Sequence, residues 1–224
     1  MDRRGGEADR RLRLGALLLL AAVAVLLAAA AWALGAPQVR YVWPLSMISD
    51  LGSGTCFSAD GRWICSPRAG AFNAGLVLTG ILLAAAVAVL GRRWGPWLRA
   101  ALLTVALGLL LLAVFPSDAA PRIHLAAAVL ALPLTSALLL VSGIREETVR
   151  GSWDVPAVPA VPRLRAVLAA VSLASTIAHL VPSWRIRGAA ELISLLALVL
   201  IVLLESGVLA RTARMVRRDA QPPR

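Results

Sequence analysis

Long apolar runs alternate with short polar stretches six times along the chain, at 14–34, 71–90, 97–115, 123–143, 164–181 and 188–209. Crossing a hydrocarbon core of about 30 Å takes roughly 20 helical residues, and each run is of that order. The runs are rich in Leu, Ala and Val. Leu and Ala favour helix, and the alternating segments of about ten residues that mark a barrel are missing. The pattern predicts an all-α fold: a six-helix transmembrane bundle over 14–209, with basic tails at 1–13 and 210–224.

Composition strengthens this reading. Apolar residues make up 59% of the chain and charged residues 16%, against about 25% charged in soluble domains. That excludes a soluble globular protein, a disordered chain and a disulfide-rich secreted scaffold. The net charge of +11 comes from 23 basic residues, all of them Arg. They cluster between the apolar runs, as membrane topology requires and a phosphate-binding face does not. Membrane lipids are therefore the expected partners, and nucleic acid is not. Seventeen Arg fall on the side of the two tails and the second and fourth connections, and six on the other side. Both termini are accordingly expected in the cytoplasm (N-in/C-in), and a bacterial plasma membrane is the expected location. The first run has a basic start like a signal peptide, but its 21 apolar residues exceed the usual core of about 7–15. It is read as a retained span. In the fourth connection, Pro156–Pro162 repeats Pro every third residue and reads as an extended linker.

The first outer loop is the longest connection and holds both cysteines. Cys56 and Cys65 bracket eight residues with Asp60-Gly61 as a turn. Oxidising conditions outside the cytoplasm favour a disulfide there. Free thiols or a redox pair are the alternatives, although the spacing is not that of Cys-x-x-Cys.

Polar residues inside the apolar runs are few. Ser172, Ser175, Thr176 and His179 share one face of the fifth helix, and Glu191, Ser194 and Glu205 lie close to one face of the sixth. Tight helix packing uses such stripes. Depth suggests something more, because Asp50, Asn73, Asp118, His124, His179 and Glu191 all map to the outer end of the bundle. Two imidazoles with carboxylates could ligate zinc or form an acid–base pair. Asp50, His124 and His179 are the candidate catalytic and metal-ligating residues. Glu191 and Asn73 would orient them, and Asp118 is a further binding candidate or a cap of the fourth helix. Haem held by the two histidines is a weaker option.

Ser49-Asp50-Leu51-Gly52, Phe72-Asn73, Phe115-Pro116-Ser117-Asp118 with His124, and Gly188-Ala189-Ala190-Glu191 resemble the bacterial and archaeal membrane proteins called "domain of unknown function 998". The resemblance runs from about Trp43 through the sixth helix. It implies a six-helix bundle and no particular reaction. The chain is more distantly similar to membrane hydrolases of the alkaline ceramidase type, in which case Ser49, Asp50, His124 and His179 would surround a zinc ion.

Two functions follow as expectations. One is the binding of a lipid or small molecule at the outward polar cluster, with no assigned cofactor. The other is a membrane-embedded, metal-dependent hydrolase or transferase acting on lipids.

Overall fold

The computed structural model describes residues 3–148, 160–179 and 185–219. Six helices account for most of them: α1 (Arg3–Leu34), α2 (Ala69–Leu90), α3 (Pro96–Val114), α4 (Pro121–Ile144), α5 (Ala160–His179) and α6 (Arg187–Asp219). All six are long and apolar enough to cross a membrane. Each packs against its neighbours in the chain, and α6 returns to pack on α1, so the helices close into a ring. One end, here the loop end, carries the connections after α1, α3 and α5. The other, the terminal end, carries both chain ends and the connections after α2 and α4.

Two helices outrun their apolar stretches. α1 begins at Arg3, so the basic residues up to position 13 are helical, and α6 continues through Asp219. Glu7–Arg11 (2.6 Å) and Asp9–Arg13 (2.8 Å) pair one turn apart on α1. These exposed pairs add little stability. The stronger cause is packing, because Leu12 joins the same apolar core as Leu209, Ala213 and Val216.

α4 departs from regular geometry at Leu130–Leu134, a π turn containing Pro133. Proline has no N–H to donate and its ring crowds the preceding turn, so the ladder must widen there. The Thr135 hydroxyl donates to the Leu130 carbonyl at 2.8 Å, which helps satisfy the disturbed backbone. α5 begins at Ala160, so Ala160–Pro162 are helix rather than linker. Proline is tolerated there because first-turn N–H groups have no intrahelical acceptor. Pro156–Pro159 and position 181 lie outside the described residues.

The first loop folds onto the loop end. It contains a short 3-10 helix (Ile48–Gly52) and a hairpin of β1 (Phe57–Ala59) and β2 (Arg62–Ile64), paired antiparallel. Asp60 and Gly61 both have positive φ, the geometry of the two-residue turns that match strand twist. Cys56 and Cys65 form a disulfide across the hairpin's base.

Candidate functional site: a plugged cavity

A cavity lies inside the ring, lined by α1, α2, α3, α4 and α6 and covered by the 3-10 helix. It is unfilled space, open over part of its boundary. Along α6 its lining runs from Glu191 to Val202, about 16 Å at the helical rise. Most of the wall is Leu, Val, Ile and Ala. Thr79 and Thr135 also face it, but their hydroxyls donate to Gly75 and Leu130 of their own helices. Polar character is concentrated at the loop end, in Ser49, Asn73, His124 and Glu191.

The cover is fastened by carboxylates. Glu191, in the first turns of α6, accepts the Ile48 N–H at 2.6 Å and the Ser49 N–H at 3.3 Å. These are the orphan donors at the start of the 3-10 helix. Asp50 accepts the Met47 N–H at 3.0 Å and receives Arg62 in a two-pronged contact, Nε at 2.8 Å and the second nitrogen at 3.3 Å. Burial disfavours the Arg62 charge, yet its bond to Asp50 and the charges of Asp50 and Asp60 hold the guanidinium above its ordinary range. The hairpin is thereby locked to the cover. Asp60 also receives Arg187 at 2.8 Å, which ties the hairpin tip to the start of α6.

The remaining motif residues serve the same junction. The Asn73 amide donates to the Gly52 carbonyl at 3.0 Å. A Cβ at Gly52 would sit 2.6 Å from the Asn73 oxygen, so glycine is what lets α2 approach the cover. At Gly188 a Cβ would strike the Ser46 and Pro44 carbonyls, while the Ala189 N–H donates to Pro44 at 2.9 Å. The loop thus rests on the first turn of α6. Ser53 and Ser117 share a hydrogen bond at 3.0 Å. Asp118 accepts both the N–H and the hydroxyl of Thr55 at 2.9 Å, so it holds the loop instead of capping α4.

The two histidines are half-buried and differently placed. His124 lines the cavity, and its Nδ1 lies 3.1 Å from the Phe115 carbonyl. His179 lies outside the cavity lining, its Nδ1 3.1 Å from the Arg187 carbonyl. A carbonyl only accepts, so in each neutral ring Nδ1 carries the hydrogen and Nε2 is the acceptor. Among the described residues, no three His, Cys, Asp or Glu side chains gather as a metal-binding group. Asp50, His124 and His179 therefore do not form the expected ligand set. The physical reason is visible at Asp50, whose carboxylate is already occupied by Arg62.

The cover also leaves unmatched polar atoms. The Asn73 oxygen and the Tyr41 hydroxyl are buried without a hydrogen-bond partner. Burial, with the nearby charges of Glu191 and Asp50, pushes the Tyr41 phenol up to about 12.

A second polar assembly spans α4, α5 and α6, joining the polar stripes of the fifth and sixth helices to Ser136 and Arg165, which the sequence did not single out. The Ser172 hydroxyl lies 2.7 Å from those of both Ser136 and Ser194, and Thr176 reaches Ser194 at 3.1 Å. Towards the terminal end, Arg165 pairs with Glu205 at 2.7 Å, both side chains 1% exposed. Arg165 also donates to the Ser142 hydroxyl and the Glu147 carbonyl. Counted in the sequence as a loop arginine, Arg165 is thus interior. Glu205 carried the available signal, since a carboxylate within an apolar run demands a partner.

A family model described as "Protein of unknown function (DUF998)" matches residues 21–206. No curated protein and no solved structure matches the chain, and the likeness to alkaline ceramidases gains no support.

Proposed function

The chain belongs to the DUF998 family, and from this premise we propose that it is a polytopic membrane protein that holds a single-chain amphiphile in the cavity, with the polar end under the cover. One observation carries this reading: an apolar cavity about 16 Å long by the helical rise has its polar groups gathered at one end, apart from two threonines whose hydroxyls are spent on their own helices. A chain of methylenes matches the walls, where no polar side chain offers an unused donor, and a polar head matches Ser49, Asn73, His124 and Glu191. Ligand sites in general combine an apolar wall with a few converging polar groups.

The same proposal places the protein in a bacterial plasma membrane with the loop end outside. The arginine asymmetry supports this. Setting Arg165 aside leaves sixteen Arg against six. A periplasm-active reporter fused after Gly95 should be silent and one fused after Ala119 active; the reverse pattern overturns the orientation.

Occupancy is tested by native mass spectrometry of the full-length protein offered dodecane and dodecanol. Both should be retained, and Ala128→Phe, which fills the cavity wall, should abolish retention without lowering the melting temperature. Equal retention by the Phe variant overturns the reading.

A further inference from the structure

The head of the cavity is built almost wholly of hydrogen-bond acceptors. Asn73 commits its amide nitrogen to the Gly52 carbonyl, and its oxygen is buried without a partner. His124 commits Nδ1 to the Phe115 carbonyl, which leaves Nε2, an acceptor in the neutral ring, as its remaining polar atom. Both Glu191 oxygens accept backbone N–H groups, and the Ser49 side chain is a further partner. Only the Ser49 hydroxyl can donate or accept as required.

Among the described residues, no arginine lines the cavity. Arg62 is held by Asp50 and Asp60, and Arg187 by Asp60. A buried acceptor gains from a donor that reaches it, and its desolvation stays uncompensated otherwise. A negatively charged head among lining residues that offer it no cation is disfavoured in a medium of low dielectric.

Resting on the reading of the cavity as an amphiphile site, we infer that the bound molecule has an uncharged hydroxyl head, a single-chain alcohol, and that carboxylate and phosphate heads are refused. The hydroxyl donates into the acceptor group formed by the Asn73 oxygen, His124 Nε2 and Glu191. Its own oxygen takes the Ser49 hydroxyl. A carboxylate head brings no donor to this arrangement, and like a phosphate it adds a charge that no cation meets. Such a site discriminates by leaving the wrong head unpaired as much as by pairing the right one.

The test measures retention of dodecane, dodecanol, dodecanoate and dodecyl phosphate by the full-length protein in native mass spectrometry. Dodecanol should be retained at least about ten-fold more tightly than either anion, a factor that corresponds to about 1.4 kcal/mol. Dodecanoate or dodecyl phosphate retained as tightly as dodecanol overturns the inference while leaving the cavity reading intact. Failure to retain even dodecane overturns the cavity reading itself. Two variants locate the discrimination. His124→Phe keeps the ring's bulk and should weaken dodecanol while leaving dodecane unchanged. Glu191→Gln retains an oxygen for the Ile48 N–H and should narrow the gap between dodecanol and dodecanoate. Unchanged discrimination in both variants, with parental melting temperatures, also overturns the inference.

Discussion

The interior of the ring is closed on one side and open on the other. Where α4, α5 and α6 meet, Ser136, Ser172, Ser194 and Thr176 bond to one another, and Arg165 bonds to Glu205, Ser142 and the Glu147 carbonyl. Where α1, α2 and α3 face the inner sides of α4 and α6, the walls are Leu, Val and Ala, and space is left between them. In lipid, apolar side chains gain little by meeting each other, because acyl chains solvate them equally well. Polar groups and small residues supply the directed attraction. The seam is therefore drawn together by hydrogen bonds. The cavity persists where the facing side chains carry none, and the cover spans it because Asp50, Asp60, Asp118 and Glu191 hold the first loop in place.

Substitutions that exchange these characters bear on the comparison most directly. The largest effect is expected at the seam's ion pair. Arg165→Met strands the Glu205 carboxylate, and loss of one partner from a buried pair costs about 3–5 kcal/mol. Combining it with Glu205→Met should recover most of the loss, as read from thermal melts of the purified protein. A single variant as stable as the parent means the seam is wet and the contrast is false.

An intermediate effect is expected at the cover. Gly188→Ala pushes a methyl group into the Ser46 and Pro44 carbonyls. Overpacking of this kind costs about 1–3 kcal/mol. Its signature should be local, with faster amide exchange at Ile48 and Ser49 and little change at Ser172 or Ser194. Exchange that rises equally in both regions means that cover and seam are one cooperative unit.

The smallest effect is expected in the hydroxyl cluster. Ser172→Ala removes bonds to Ser136 and Ser194, but those hydroxyls keep other partners, Leu132 for Ser136 and Thr176 for Ser194. Interhelical bonds in membranes average about 0.6 kcal/mol, so the melt should move only slightly. A loss comparable to that of Arg165→Met places the seam's strength in the hydroxyls.

The residues that suggested a site in the sequence do converge, though mostly for a different purpose. Asp50, Asp118 and Glu191 spend their oxygens on backbone N–H groups and Arg62, and Asn73 supports Gly52. Their common depth was legible because antiparallel helices of similar length bring alternate ends together. Their partners were not, because the Asp50–Arg62 bond depends on how the hairpin folds back on the cover. His124 and His179 looked equivalent by position along their helices. The rotation of each helix in the ring separates them, one on the cavity wall and one outside it.

The chain's one-dimensional pattern determined six spans, because about 20 apolar residues in lipid can satisfy their backbone only as helix. It also determined the hairpin turn and its disulfide, since Asp60-Gly61 admits positive φ and both cysteines flank it closely. Tertiary structure alone decided which side chains face the cavity, that Arg165 lies inside the bundle, and that the first loop is a cover. Those outcomes depend on helix rotation and on contacts between residues far apart in the chain, such as Ile48 and Glu191, 143 positions apart, and no local propensity encodes them.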